Sequence, residues 1–306
     1  MNKIFTAYIP TYNPNHGDLK ALVDLLLKFK DRIEILILDD VSTPEFRKHL
    51  LDNYSDKATI VLNEKNQNKA LNNKDAIEKH IKTKYFHPID PDDLVKQENF
   101  EKFLDMLDKS SADLIFNNWY YKKLHLKTKK PLKSDKRLAF FNANVTYSTE
   151  VVKGYDPGPI RGHYEDIDLP LYALRNAKNI FVNHKLKGWY LYTDVTSSKP
   201  KVLVKRQAEY VKLLDYLFSL PLPKDEYARS VYMTKLVLTG TWRTNLEVMH
   251  GISMRQSHKN VIKMFNSNPE FAKYYKTYPY FNFYRLSMWA GYNPFFKISA
   301  WILKIW

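Results

Sequence analysis

Residues 33–40 read IEILILDD, a short continuous apolar run, rich in β-branched residues, that stops at two carboxylates. A run this short without polar alternation is the pattern of a strand buried on both faces, as parallel strands are. Comparable segments recur at 4–10 (IFTAYIP), 58–63 (ATIVLN), 84–90 (KYFHPID) and 112–121 (ADLIFNNWYY). Between them lie stretches with apolar residues at helical spacing. Residues 17–30 carry Leu19, Leu22, Val23, Leu26 and Leu27, and a second helix is expected from Pro44, with Ser42 or Thr43 as its cap. Further helices are expected over 73–83 and 95–110. Strand and helix therefore alternate through about residue 120. That order predicts an α/β fold with a mostly parallel central sheet and helices on both of its faces. Right-handed crossovers would gather the carboxyl ends of the strands on one edge, where ligands bind.

Two acidic groups fall at such strand ends: LDD at 38–40 and DPDD at 90–93. Asp90, Asp92 and Asp93 repel one another, yet they are crowded together in a chain whose net charge is +15. The alternation suggests a nucleotide site, but the glycine loops that cradle phosphates are missing. With only 8 glycines, the chain has neither GxGxxG nor GxxxxGK[ST]. A pyrophosphate can instead be neutralised by Mg²⁺ or Mn²⁺, which takes carboxylate and phosphate oxygens. Pro91 would stiffen the turn that presents the acids. The alternative is that Asp92 or Asp93 caps a helix beginning near Leu94. A third group, Glu165, Asp166 and Asp168 in GHYEDIDLPLYAL, opens a segment with helical spacing. There the acids either neutralise the helix dipole or supply a general base.

Taken in order, AYIPTYNP, ILILDDVSTPEF, NEKNQNKALNNKDA, HPIDPDD and HYEDIDLPLYAL resemble the family 2 glycosyltransferases of the GT-A fold, over roughly residues 3–198. The resemblance implies a metal-dependent, inverting hexosyl- or N-acetylhexosaminyltransferase. Its donor would be a UDP-sugar, and its acceptor a saccharide or lipid-linked saccharide of a bacterial surface polysaccharide or glycolipid. It further implies that Thr11 and Tyr12 border the nucleotide, that Asp39 hydrogen-bonds the uracil and that Asp40 lies beside it. Lys74 would stand near the pyrophosphate, Asp90 would contact ribose or sugar, and Asp92 would bind Mn²⁺ or Mg²⁺. Glu165 and Asp166 match the family's acidic pair, with Asp166 as the base. The chain departs from the pattern at Val41 and Ala70, where the family has glycines, at Asp75, often an asparagine, and at Pro91 inside the metal motif.

From residue 199 to 306 the pattern turns helical and basic, with 17 Lys and Arg against 6 Asp and Glu. A boundary is therefore expected near 198, between a catalytic domain (1–198) and a helical extension (199–306). The last 36 residues hold 14 aromatics, five basic residues and no acid. Such a segment suits an anionic membrane surface, where aromatics sit at the headgroup boundary and basic side chains reach lipid phosphates. It would equally serve as a lid on the catalytic domain or a contact in a homo-oligomer. Nucleic acid is the remaining partner class, and no RNA-module signature supports it. The rival functional class is a non-catalytic membrane- or RNA-binding protein on a related scaffold. The two acidic clusters argue against that, because a polyanion binder has no use for them. Cysteine is absent, no apolar run reaches 18 residues, and the first residues lack a signal-peptide pattern. The expected location is cytoplasmic, peripheral at the inner face of the plasma membrane. His163, His184, Trp119 and Trp189 could reach a site, but packing explains each of them as well.

Overall fold

The computed structural model describes residues 3–117, 119–122, 130–132, 145–158, 165–183, 190–193, 207–233, 235–236, 247 and 252–277. They divide into two compact units: 1–198 with 223–235, and 199–222 with 236–306.

The first unit opens with β1 (Phe5–Thr11), α1 (His16–Leu26), β2 (Ile33–Asp39), α2 (Pro44–Tyr54), β3 (Thr59–Leu62) and α3 (Asn68–Asp75). There follow β4 (Tyr85–Pro88), β5 (Leu94–Val95), α4 (Gln97–Asp108), β6 (Leu114–Asn117), β7 (Trp119–Lys122), β8 (Lys130–Leu132) and β9 (Val145–Ser148). The last elements are α5 (Glu165–Asn176), β10 (Ile180–Asn183) and β11 (Tyr190–Thr193). Seven strands form one sheet in the order β10-β6-β9-β4-β1-β2-β3, and four form a second in the order β5-β11-β7-β8. In the large sheet every neighbouring pair is parallel except those of β9, which runs antiparallel to β4 and β6. The expected mostly parallel sheet is therefore present, and β1 lies in its interior between β2 and β4.

Alternation explains the core. Phe5, Ala7 and Ile9 of β1 and Ile33, Ile35 and Ile37 of β2 join one apolar cluster with Leu19, Leu22, Val23 and Leu26 of α1, Phe46 and Leu50 of α2, and Phe100, Phe103 and Leu104 of α4. Leu36 and Leu38, which point the other way, are equally buried. Both sheet faces are thus covered, which is why IEILILDD shows no polar alternation. The Phe5 ring meets Phe100 and Phe103 edge-on at 5.8 and 5.7 Å.

Three boundaries differ from the sequence expectation, each because of a tertiary contact. The segment 112–121 is two strands, β6 and β7, that belong to different sheets. The helix expected from 95 starts at Gln97, because Leu94 and Val95 pair with β11. The helix expected from 73 starts at Asn68, where Asp40 accepts the backbone N–H groups of Gln67 and Asn68.

In the second unit α6 (Gln207–Ser219), α7 (Met254–Ser267) and α8 (Pro269–Thr277) meet through Phe218, Phe265 and Phe271, whose ring centroids lie 4.7–5.4 Å apart. Asn268 pins the junction, donating to the Phe218 carbonyl at 3.0 Å and accepting from the Phe271 N–H at 3.1 Å. Residues 278–306, which hold most of the basic aromatic tail, lie outside the described residues. Among the described residues no helix is long and apolar enough to cross a membrane.

Candidate active site

Because β1 pairs in parallel with both β2 and β4, the residues after their last pairings emerge on one edge of the sheet. Thr11 ends β1, Asp39 ends β2, and Asp90 follows two residues after the end of β4.

At the β2 end, Asp39 is fully buried. Its Oδ2 accepts from the Ser42 N–H at 3.1 Å and from Arg47 Nε at 2.8 Å, and Oδ1 has a long contact of 3.4 Å with the Thr11 hydroxyl. Arg47 sits one turn into α2, where Thr43 accepts from the Phe46 N–H as the N-cap. Its guanidinium also bonds the Asn63 carbonyl, tying β3 to the same point. Asp40 turns to the other side. Its carboxylate takes hydrogen bonds from Asn63 Nδ2 and from the N–H groups of Gln67 and Asn68, at 2.8–3.0 Å. Asn66 donates to the Asp40 carbonyl, and Asn63 also donates to Asn72. The asparagine-rich stretch thus has a local reason: its amides wrap Asp40 and start α3. An open groove of about 670 Å³ runs along this loop, lined by residues 62–68 and Leu71.

Besides Asn13, at φ +44°, two turns here take left-handed backbone. Val41 has φ +66° and Asn68 has φ +65°. The first coincides with the position where the resemblance expects glycine. The second lies two residues ahead of Ala70, which is buried inside α3. Asparagine tolerates this conformation, whereas a β-branched valine rarely does.

At the β4 end, Asp90–Asp93 form a β-turn closed by the Asp93 N–H donating to the Asp90 carbonyl at 3.0 Å. Pro91 occupies the second position, where its fixed φ suits such turns. α4 begins only at Gln97, with Lys96 at its N-cap. The alternative that Asp92 or Asp93 caps that helix is therefore set aside. One carboxylate oxygen each from Asp90, Asp92 and Asp93 lie within 4.8 Å of one another. Asp90 is half-buried, Asp92 exposed and Asp93 buried. Although Asp92 is exposed as a residue, partial loss of solvent around its carboxyl, and next the charge of Asp90, push it above the ordinary carboxylate range, while a bond from its own backbone N–H and then Lys69 pull it back. Three hard oxygen donors this close together fit Mg²⁺ or Mn²⁺. Lys69 Nζ lies 2.7 Å from Asp90 Oδ1.

The remaining expected residues are placed as follows. Thr11 is buried, and its hydroxyl faces the Leu38 carbonyl and Asp39. Tyr12 follows it and is 62 % exposed, among the most exposed large apolar side chains described. Lys74 on α3 lies 3.6 Å from Asp156 and joins α3 to the segment ahead of α5. Glu165 and Asp166 open α5 as expected, but their side chains lie outside the described residues, as do those of His163, His184, Trp119 and Trp189. Asp168, the fourth residue of that helix, is buried and accepts from the Tyr155 hydroxyl at 2.8 Å. Burial pushes its carboxyl up to about 6, against the opposing pull of Tyr155 and Arg175. Sequence reasoning did not single out Arg47, Asn63 or Lys69. Only the asparagine-rich composition hinted at Asn63, since an arginine or lysine on a helix has no distinguishing mark before the fold is known.

The model of glycosyl transferase family 2 matches residues 6–163, just over half of the chain. The chain belongs to that family. A curated relative, the glycosyltransferase GlyG of Streptococcus pneumoniae serotype 4 (strain ATCC BAA-334 / TIGR4), is 25% identical over 122 residues. That match covers 39% of this chain and 40% of GlyG, less than half of its length. Among solved structures, residues 1–349 of S. aureus TarS in complex with UDP-GlcNAc superimpose with a TM-score of 0.52 at 15% identity, covering 86% of this chain and 92% of that one. The mannosyltransferase PcManGT of Pyrobaculum calidifontis, in complex with GDP-Man and Mn²⁺, gives 0.56 at 13% identity, covering 99% and 87%. These likenesses establish the GT-A fold for this family 2 chain.

Proposed function

We propose that this family 2 chain is a metal-dependent inverting glycosyltransferase that takes a hexose or N-acetylhexosamine from a UDP-sugar. The observation that carries this reading is the Asp90–Asp93 turn, which crowds three carboxylates at the carboxyl edge of the sheet beside Thr11 and Asp39. Mn²⁺ or Mg²⁺ held there, with Asp92 as the principal ligand, would neutralise charge on the donor's diphosphate. Asp90 lies close enough to share that ion or to meet the ribose. Thr11 and the exposed Tyr12 border the nucleotide, Asp39 offers its less engaged oxygen to the uracil, and Asp40 lies beside it and sets the loop around it. Lys74, at the opposite end of α3 from Asp40's cap, supplies positive charge near the diphosphate.

The acceptor oxygen forms a bond to the anomeric carbon as the carbon–oxygen bond to the diphosphate breaks and UDP departs. The proton of the acceptor hydroxyl passes to the carboxylate of Asp166, with Glu165 beside it. One displacement inverts the anomeric centre. The acceptor class is a saccharide or lipid-linked saccharide of a bacterial surface polymer, presented at an anionic membrane that the basic aromatic tail would engage. Flotation with anionic vesicles checks the last point: full-length protein that stays unbound at low salt removes the membrane from the proposal.

The support for UDP is the named UDP-GlcNAc complex of a neighbour sharing the fold, while another neighbour is named with GDP-Man. The deciding experiment is therefore a panel of UDP- and GDP-sugars, each followed for nucleotide release with Mn²⁺ and with EDTA. Release is expected from a UDP-sugar and only with the metal, and Asp166→Asn should slow it by about 10²–10⁴-fold. Release from none of the panel, with or without acceptor saccharides, removes the enzymatic reading.

A further inference from the structure

Lys69 stands where the sequence pattern offered no role. It is in the first turn of α3, next to Asn68, whose backbone N–H is held by Asp40 at the β2 end. Its ammonium reaches across to the β4 end and lies 2.7 Å from Asp90. The same charge acts on Asp92. It is thus a built-in cation for the acidic turn, placed among the oxygens that would ligate a metal. Both partners are about two-thirds withdrawn from solvent, 33% and 34% exposed, so water screens the pair only in part.

We propose that Lys69 is an internal counter-cation that competes with the divalent metal for the Asp90–Asp93 turn and thereby makes metal binding depend on the donor. The proposal rests on the metal reading above and deepens it. Before the donor arrives, Lys69 neutralises part of the turn and repels an incoming divalent cation. A nucleoside diphosphate brings new anionic oxygens to the same edge. Lysine, a point charge on a flexible four-carbon stem, can transfer to them without moving α3. The turn is then released to the metal, so that metal and nucleotide bind with positive cooperativity. Linkage requires that Mn²⁺ tighten UDP by the same factor by which UDP tightens Mn²⁺.

The test is Mn²⁺ binding by electron paramagnetic resonance and calorimetry, with and without UDP, on the full chain, on Lys69→Met and on Lys69→Arg, with Asp92→Ala as background. In the native chain UDP should tighten Mn²⁺ by about 5–150-fold, the usual span of such coupling. Lys69→Met should bind Mn²⁺ alone up to about fivefold more tightly, because a competing ion pair is gone, and should show a smaller UDP effect. Lys69→Arg should keep both native properties if the charge at this position is what matters, and it reads the same question should the methionine variant fail to fold. If the native chain binds Mn²⁺ no better than Asp92→Ala even with UDP, the metal reading itself falls. If the native chain binds Mn²⁺ and Lys69→Met binds it equally or more weakly without UDP, the metal stands and the role of Lys69 is overturned.

Discussion

Two acidic strand ends share one edge of the sheet, and they are built in opposite ways. At the end of β2, Asp39 and Asp40 are consumed by the protein: Ser42, Arg47, Asn63, Gln67 and Asn68 all donate to them. At the end of β4, Asp90, Asp92 and Asp93 face one another with Lys69 as the cation beside them. The first pair holds three loops in place, and only Asp39 Oδ1, with its 3.4 Å contact to Thr11, is loosely engaged. The second group crowds three carboxylates within 4.8 Å of one another, an arrangement that a cation between them would relieve. Equal-looking motifs in sequence therefore differ in what the fold brings to them: donors from remote segments at β2, further carboxylates at β4.

The sharpest way to break this comparison is Asp92→Ala. It should abolish Mn²⁺-dependent nucleotide release, a loss of about 10²-fold or more since a catalytic metal supplies several kcal/mol. Thermal stability should stay level or rise slightly, because a repelling carboxylate is removed. A variant that unfolds instead would place Asp92 with the scaffold.

Arg47→Met asks the converse question at the other end. Asp39 is fully buried and Arg47 is 24% exposed, so the substitution leaves a buried carboxylate without its cation. Removing one partner of a buried ion pair costs about 3–5 kcal/mol, and partial exposure of Arg47 puts the expectation at the lower end. The readout is denaturant unfolding. A loss under about 1 kcal/mol would mean that Asp39 is held by hydrogen bonds alone, in the range of single net bonds.

Both ends were legible in the sequence as acids that terminate apolar runs, and the continuous IEILIL run announced a sheet covered on both faces. What could not be read was the division between them, because the donors are remote in sequence: Arg47 reaches Asp39 from α2, and Lys69 reaches Asp90 from α3. The start of α3 was hidden for the same reason. Its cap is Asp40, 28 residues earlier, not a neighbouring Ser or Asp. The switch of 112–121 from one sheet to the other carries no local mark, since both pieces are apolar and strand-like. β9, which enters antiparallel between β4 and β6, lies beyond the stretch in which the alternation of strands and helices was read.

A third acid sharpens the comparison by its sign. Asp168 is buried against Tyr155 and, unlike Asp39, has no basic group bonded to it among the described residues; its carboxyl is raised from 3.8 to about 6. The native state therefore holds a proton that the unfolded state releases between about pH 4 and 6. Over that window stability falls as pH rises, and above pH 6 both states are ionised and the slope ends. The full span is on the order of 3 kcal/mol, from 1.36 kcal/mol per pH unit. Asp168→Asn imitates the protonated form and still accepts from Tyr155. It should be more stable than the parent at pH 7 and about equal to it near pH 4. Asp156 and Arg175 act on the group in opposite directions and are unchanged by the substitution. A stability difference that does not vary with pH would show that Asp168 is ionised at its ordinary value.

The smallest effect concerns the turns themselves. The β4 turn uses Pro91 where proline is favoured, whereas the β2 turn forces Val41 to φ +66°. That conformation is required there: it brings the Ser42 N–H back to Asp39 and the Ser42 hydroxyl to the Asn13 N–H at 2.8 Å, locking the loop that carries Tyr12. A left-handed L-residue costs about 1–2 kcal/mol, and a β-branched one is the least suited. Val41→Gly removes the strain but gives the unfolded chain about 0.5–1 kcal/mol of extra freedom, and it forfeits whatever the half-buried valine packs against. The net expectation is a gain of up to about 1 kcal/mol, which at this size raises the melting temperature by about 2–4 °C. Val41→Ala separates the terms, since alanine keeps the positive-φ penalty and loses the branch. Its stability should fall between those of the parent and the glycine variant. If alanine and glycine both lower the melting temperature, packing by the valine methyls outweighs the backbone strain, and the β2 turn is held by its side chain as well as by Asp39.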